Sequence, residues 1–210
     1  MKIDRLEIIH VRMPLVRPFE TSFGRETTRD CLLVRIESGG IVGWGECPAS
    51  AEPGYSYETA QTAWHIVKDF LGPRLKGAEF SVAGSMREKF SFVRGHNMAK
   101  SGLEMALLDW FGHSTRRPIA ALLGATREEI PTGISLGIEK RVEDLLDQVQ
   151  RAVEKHYQRI KIKIKPGWDV DILTEVRRRF PVTPLMADAN SAYTLNDAVH
   201  LKKLDSLELT

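Results

Sequence analysis

Between residues 131 and 207 one pattern repeats: a short apolar segment, then an amphipathic one. PTGISLGI (131–138) precedes RVEDLLDQVQRAVEKHY (141–157). RIKIKIK (159–165) precedes WDVDILTEVRRRF (168–180), and TPLMADAN (183–190) precedes TLNDAVHLKKLDSL (194–207). Strand–helix units about 25 to 28 residues long are the signature of βαβ units in a parallel sheet. Val142, Leu145, Leu146, Val149 and Val153 share one helix face, and Ile172, Leu173 and Val176 share another. Asp169 and Thr194 are placed to cap the second and third helices. Three such units suit a doubly wound sheet or a β/α barrel. A closed barrel needs roughly 200 to 250 residues, and about 80 follow Ile130. The expectation is therefore a small open sheet, or the front part of a longer protein.

The first half reads as α+β. Residues 3–13 form a strand ended by Pro14. CLLVRIE (31–37) and IVGWGE (41–46) make a hairpin around Ser38-Gly39-Gly40. Residues 14–30 between them read as a long loop of the kind that often serves function. In SYETAQTAWHIVKDFLGP a helix is expected, capped by Ser56 and stopped by Gly72-Pro73. A further helix covers 99–112, and a short one covers 118–125. The reading is an α+β domain over 1–125, then β/α units over 126–210.

Hydrophobic and charged contents of 42% and 28% are those of a globular domain. A net charge of +2 implies neither a nucleic-acid nor a membrane-surface role. No apolar run approaches the roughly 20 residues that span a bilayer. The charged N-terminus is not a signal peptide. Cys31 and Cys47 are too few for a disulfide framework, and read as reduced core residues of a cytoplasmic protein.

The alternation in RIKIKIK puts Ile160, Ile162 and Ile164 on one face and Lys161, Lys163 and Lys165 on the other. Lysines on a strand usually face water or guard an edge. A parallel sheet between helices is buried on both faces, however, so here the lysines turn inward. An isolated buried ammonium is costly and its pKa falls, which suits a general base. Lys165 adjoins the loop and can reach solvent; Lys161 and Lys163 are the candidate pair. Asp188 and Asn190 lie one strand repeat apart at the C-terminal end of the next strand, where β/α barrels hold their active sites. Asp188 is an oxygen donor suited to Mg²⁺.

These stretches resemble the enolase superfamily, in its muconate-lactonising-enzyme-like subgroup. The likeness is strongest to the o-succinylbenzoate synthase / N-acylamino acid racemase family. It lies in MPLVRPFETSFG (13–24), GWGEC (43–47), MAKSGLEMALLDW (98–110), ISLGI (134–138), RIKIKIKPGWD (159–169) and ADANSAYTL (187–195). The resemblance implies a capping domain followed by a TIM-type (β/α) barrel, partial here, with its first three units. It makes Lys163 the proton-abstracting base, with Lys161 beside the substrate carboxylate. Asp188 becomes the first of three Mg²⁺ ligands, the other two lying beyond residue 210. Asn190 is a polar neighbour at the substrate. Phe19, Ser22, Phe23 and Gly24 lie on a mobile loop that closes over substrate, and Tyr55 and Ser135 line the pocket.

The implied activity is dehydration to o-succinylbenzoate in menaquinone biosynthesis, by a lyase that acts on a small carboxylate as a cytoplasmic homo-oligomer. The 210-residue chain is expected to be a fragment, inactive alone. N-acylamino acid racemisation or dipeptide epimerisation uses half of the same site and stays open. A non-catalytic interaction module with a solvated lysine strand is the alternative of another class.

Overall fold

Arg5–Thr21 (β1), Gly24–Ser38 (β2) and Ile41–Cys47 (β3) form one sheet in that order in the computed structural model, which describes residues 1–80 and 86–210. Residues 14–30 are thus mostly strand, not the expected loop. β1 passes through Pro14 and Pro18, and only a turn at Ser22-Phe23 separates it from β2. The order makes β1 an edge strand, where a proline's missing N–H breaks no ladder. The chain divides into two units. Met1–Pro14 and Thr28–Arg127 form the first, while the hairpin tip Leu15–Thr27 groups with Glu128–Thr210 in the second.

In the first unit, β2 and β3 pair in antiparallel register around the Gly39-Gly40 turn. Leu32, Val34 and Ile36 alternate into a core shared with Ala63, Val67, Leu71, Leu103 and Leu107. The helix expected from Ser56 starts three residues later. Thr59 caps Ala60–His65 (α1) in a reciprocal capping box with Thr62, while the Ser56 hydroxyl accepts from the Glu58 N–H. Nor does Gly72-Pro73 stop it. A π-helical stretch, Ile66–Leu71, leads into Gly72–Leu75 (α2). The wider turn, with Gly72 N–H bonded to the Val67 carbonyl, makes room for a proline that has no N–H to give.

Met86–Phe90 (α3), Asn97–Thr115 (α4) and Ile119–Leu122 (α5) follow. His96, the residue before α4, is left-handed and caps nothing with its side chain. Buried Glu58 supplies the cap instead, its two oxygens accepting from the N–H groups of Met98 and Ala99.

GWGEC has a packing reason. α4 lies directly on β3: a Cβ at Gly45 would stand 2.0 Å from the Gly102 carbonyl oxygen, and one at Gly43 2.2 Å from that of Ala106.

In the second unit, Gly133–Leu136 (β4), Arg159–Lys163 (β5) and Leu185–Asp188 (β6) form a parallel sheet in chain order. Val142–Glu154 (α6) and Val170–Arg179 (α7) are the connecting helices. Leu145, Val149, Leu173 and Val176 pack with Ile160, Ile162, Ile164 and Leu185 in one core. The third helix is only partly α: Ala198–Leu201 (α8) sits between 3₁₀ turns, Leu195–Asp197 and Lys202–Leu207. Its packed leucines, 204 and 207, follow Leu201 at steps of three, the 3₁₀ period. Arg177 donates to the carbonyls of Phe180, Pro181, Thr183, Leu207 and Glu208, tying down this end of the unit.

Gly45→Ala should therefore lower stability by about 1–3 kcal/mol, the usual range for overpacking. Gly54→Ala, with open space around it, should change little. Urea denaturation compares the two, and equal midpoints would refute the close approach of α4 to β3.

Candidate active site

β5 is the middle strand, and its register settles which side chains meet. Ser135 on β4, Lys161 on β5 and Met186 on β6 form one row across the sheet. Two residues along, Lys163 stands opposite Asp188. Ile160, Ile162 and Ile164 face the helices and are buried, so the lysines occupy the other face.

There both amines converge on one carboxylate. Lys161 Nζ lies 3.0 Å and Lys163 Nζ 2.9 Å from the same Asp188 oxygen, Oδ2. Lys163 also donates to Asn190 Oδ1 at 2.6 Å. The Asn190 N–H donates to Asp188 Oδ1 at 3.0 Å. The Lys163 side chain is only 9% exposed, against 32% for Lys161 and 24% for Asp188. The Lys163 hydrogen bond, aided by that from Lys161, outweighs desolvation and holds the Asp188 carboxyl down to about 2.

Two turns frame this cluster. Lys165 and Trp168 exchange backbone hydrogen bonds across Pro166-Gly167, and Gly167 has φ +81°. Proline followed by a left-handed glycine is the type II turn sequence. The turn leaves Lys165 paired with Glu20 at 2.9 Å and delivers Asp169 to cap α7, as its position in the sequence suggests. After β6, Asn190 and Ser191 both take positive φ (48° and 63°), which bends the chain back beside Lys163. The Ser22 hydroxyl, at the hairpin tip, donates to the Ala189 carbonyl at 2.7 Å.

Of the residues singled out in the sequence, Lys161, Lys163, Asp188 and Asn190 come together, and Ser135 flanks Lys161 across the row. Phe19 approaches Gly137, at 3.3 Å from where a Cβ would stand. Phe23 is 53% exposed at the tip of a hairpin, and not on a loop. Tyr55 belongs to the first unit, before α1, and is exposed. Three residues escaped the sequence reading in part or whole. Buried Asp169 accepts from the Tyr193 hydroxyl at 2.6 Å as well as bonding His200 Nε2 at 2.9 Å. Burial pushes the Asp169 carboxyl up, but the bonds from Tyr193, His200 and the Val170 N–H outweigh it and hold it low. Burial and Asp169 together raise the Tyr193 phenol.

A cleft of about 400 Å³ in this unit is lined by Arg17, Glu20, Arg25, Glu139, Lys140 and Arg151, among others, and by none of Lys161, Lys163 or Asp188. As a metal site the β5–β6 cluster is incomplete. Asp188 is one oxygen donor, and among the described residues no group of three or more His, Cys, Asp or Glu could hold a metal ion. Mg²⁺ asks for more oxygen ligands than this donor set supplies.

Residues 4–124 match the mandelate racemase / muconate lactonizing enzyme N-terminal domain, and residues 144–210 match the enolase C-terminal domain-like family. The chain belongs to the enolase superfamily. It is 45% identical over 210 residues to an o-succinylbenzoate synthase of Geobacillus kaustophilus, covering 100% of this chain and 56% of that protein. It is 43% identical over 210 residues to an N-succinylamino acid racemase of Amycolatopsis sp, covering 100% and 57%. A crystal structure of an enolase superfamily member from Listeria innocua superposes with a TM-score of 0.91 at 38% identity, over 100% of this chain and 57% of that one. The chain thus spans little more than half the length of these superfamily relatives. Its fold is the superfamily's N-terminal domain followed by part of the C-terminal domain. No helix among the described residues is long and apolar enough to cross a membrane, and Cys31 and Cys47 are buried and unpaired.

The Asp188 carboxyl is depressed in the folded state, so its stabilising effect is complete above the unfolded value near 4 and fades as pH falls toward about 2. Asp188→Asn should cost roughly 2 kcal/mol at pH 7, with the gap from wild type narrowing between pH 4 and pH 2. Urea titrations across that range check it, and a gap that widens with acid would show that the carboxylate is not held by the two amines.

Proposed function

We propose that the full-length protein is an o-succinylbenzoate synthase-type dehydratase acting in menaquinone biosynthesis. The observation that carries this reading is the pair of amines, from alternate residues of one strand, on a carboxylate at the end of the next. Lys163 is the base that takes the proton α to the substrate carboxylate, and hydroxide leaves from the adjacent carbon, so the net change is loss of water. A proton α to a carboxylate is a far weaker acid than an ammonium. The developing ene-diolate therefore needs positive charge already in place. Lys161, one strand repeat away on the same face, supplies part of it.

Enolase superfamily enzymes of this type use Mg²⁺. This chain offers one of the carboxylates such an ion requires, Asp188, and among the described residues no cluster completes the set. Residues 126–210 are read as the first three units of a (β/α) barrel, and residues 1–125 as a capping domain. Phe19, Phe23, Ser135 and Asn190, all of the second unit, are assigned to the substrate pocket of the whole enzyme, a cytoplasmic homo-oligomer.

The second reading, racemisation of N-acylamino acids, is favoured by the relative of that type at 43% identity. It uses the same proton abstraction without elimination. A non-catalytic module fits less well, because solvated lysines would not leave Lys163 so buried and doubly bonded.

The test uses the full-length protein with both substrate classes. Dehydration should proceed, and Lys163→Ala should lower kcat by about 10²–10⁴, the contribution of a positioned base. Racemisation without dehydration would replace the first reading with the second. Unchanged activity in the variant would remove Lys163 from the chemistry.

A further inference from the structure

The PGWD motif does more than turn the chain. Its aspartate is buried, yet it collects hydrogen bonds from three separate places: the Val170 N–H on α7, the Tyr193 hydroxyl, and His200 on α8. Tyr193 lies three residues after Asn190, on the turn whose left-handed residues bring the Asn190 amide oxygen to Lys163. Ala189 and Tyr193 pack against the core, but among the described residues the turn has few other hydrogen bonds. Ala192 N–H bonds the Ala189 carbonyl within it, Asn190 N–H bonds Asp188, and Ser22 holds the Ala189 carbonyl from the hairpin tip. The Tyr193–Asp169 bond ties the far side of the turn to the β5–α7 connection, six residues along the chain from Lys163.

We propose that Asp169 is a positioning residue, which through Tyr193 fixes the 189–193 turn and so holds the Asn190 amide oxygen against the Lys163 amine. The proposal rests on the reading of Lys163 as the base only where activity is the readout. The geometry behind it is a carboxylate with no room to wander. One oxygen is committed to the α7 N-terminus, and the other receives two side chains from the following loop and helix. Loss of the phenol hydroxyl leaves the α7 cap intact and frees the turn, so its effect travels to Asn190 without unfolding the unit.

The experiment uses the full-length protein with the variants Tyr193→Phe and Asp169→Asn, since asparagine caps helices as well as aspartate does. The control is Thr174→Val, which removes an exposed hydrogen bond on α7 itself. Lysine accessibility is read by isotope-coded acetic anhydride and mass spectrometry. Each test variant should raise Lys163 labelling about fivefold, the factor expected from one lost hydrogen bond, with no change in the control. In the dehydration assay, kcat should fall by about the same factor while KM stays within about twofold. The double variant should be no worse than Asp169→Asn alone, because that change already removes the acceptor to which Tyr193 donates. Unchanged labelling with a lowered melting temperature would make Asp169 a helix cap alone and overturn the proposal, as would an equal rise in the Thr174→Val control. Should the wild type neither dehydrate nor racemise, labelling alone decides the clamp, and the failure is that of the functional reading.

Discussion

One carboxylate, that of Asp188, makes the polar face of the parallel sheet tolerable. Two ammonium groups on alternate residues of β5 would repel each other across a poorly solvated surface. The anion from β6 stands between them and bonds both through the same oxygen. The formal charges are two positive against one negative, so the cluster keeps one positive charge in excess. Lys165, the third lysine of the row, is matched by Glu20 and adds nothing to the excess. A site with a single uncompensated positive charge attracts an anion. That fits the carboxylate-bearing substrate proposed above better than a neutral ligand.

The two faces of β5 answer to different physics. The isoleucine face is held by area: three β-branched side chains, almost wholly withdrawn from water, pack on α6 and α7. The lysine face is held by geometry, through a few short polar bonds. The turns that follow β5 and β6 serve the second kind of hold. Pro166-Gly167 aims Lys165 at Glu20 and Asp169 at the α7 N-terminus. Asn190 and Ser191, in a conformation that asparagine tolerates better than most residues, return the chain beside Lys163.

The strand–helix repeats were legible because period 2 and period 3.6 are strong signals in segments of this length. The lysine orientation was legible once the parallel sheet was inferred, since burial on both faces follows from the topology. The misreadings have local causes. Pro14 read as the end of a strand, but an edge strand absorbs it, and strand order is a tertiary fact. Ser56 lost to Thr59 because only the latter has a partner three residues on that bonds back. Pro73 failed to end its helix because a π turn opened before it, and no pattern in IVKDFL announces that. Asp169 was legible as a cap and illegible as a junction. Its partners Tyr193 and His200 lie 24 and 31 residues away, brought in by packing of the following loop and helix.

Energetics also bear on why such a cluster exists. Exposed ion pairs contribute about 0–1 kcal/mol, and their loss is scarcely felt. A buried pair costs about 3–5 kcal/mol to break by removing one partner, yet replacing all partners with apolar residues is often neutral or stabilising. The Lys163–Asp188–Asn190 arrangement is nearer the second class, with the amine almost enclosed. A fold selected for stability alone would put Val or Leu at these positions, as β5 already puts isoleucine at the alternate ones. Keeping three polar side chains in mutual contact there makes sense if the contacts themselves are used. On the reading proposed above, that use is moving a proton, with Lys163 held between two oxygen acceptors at the C-terminal end of a parallel strand.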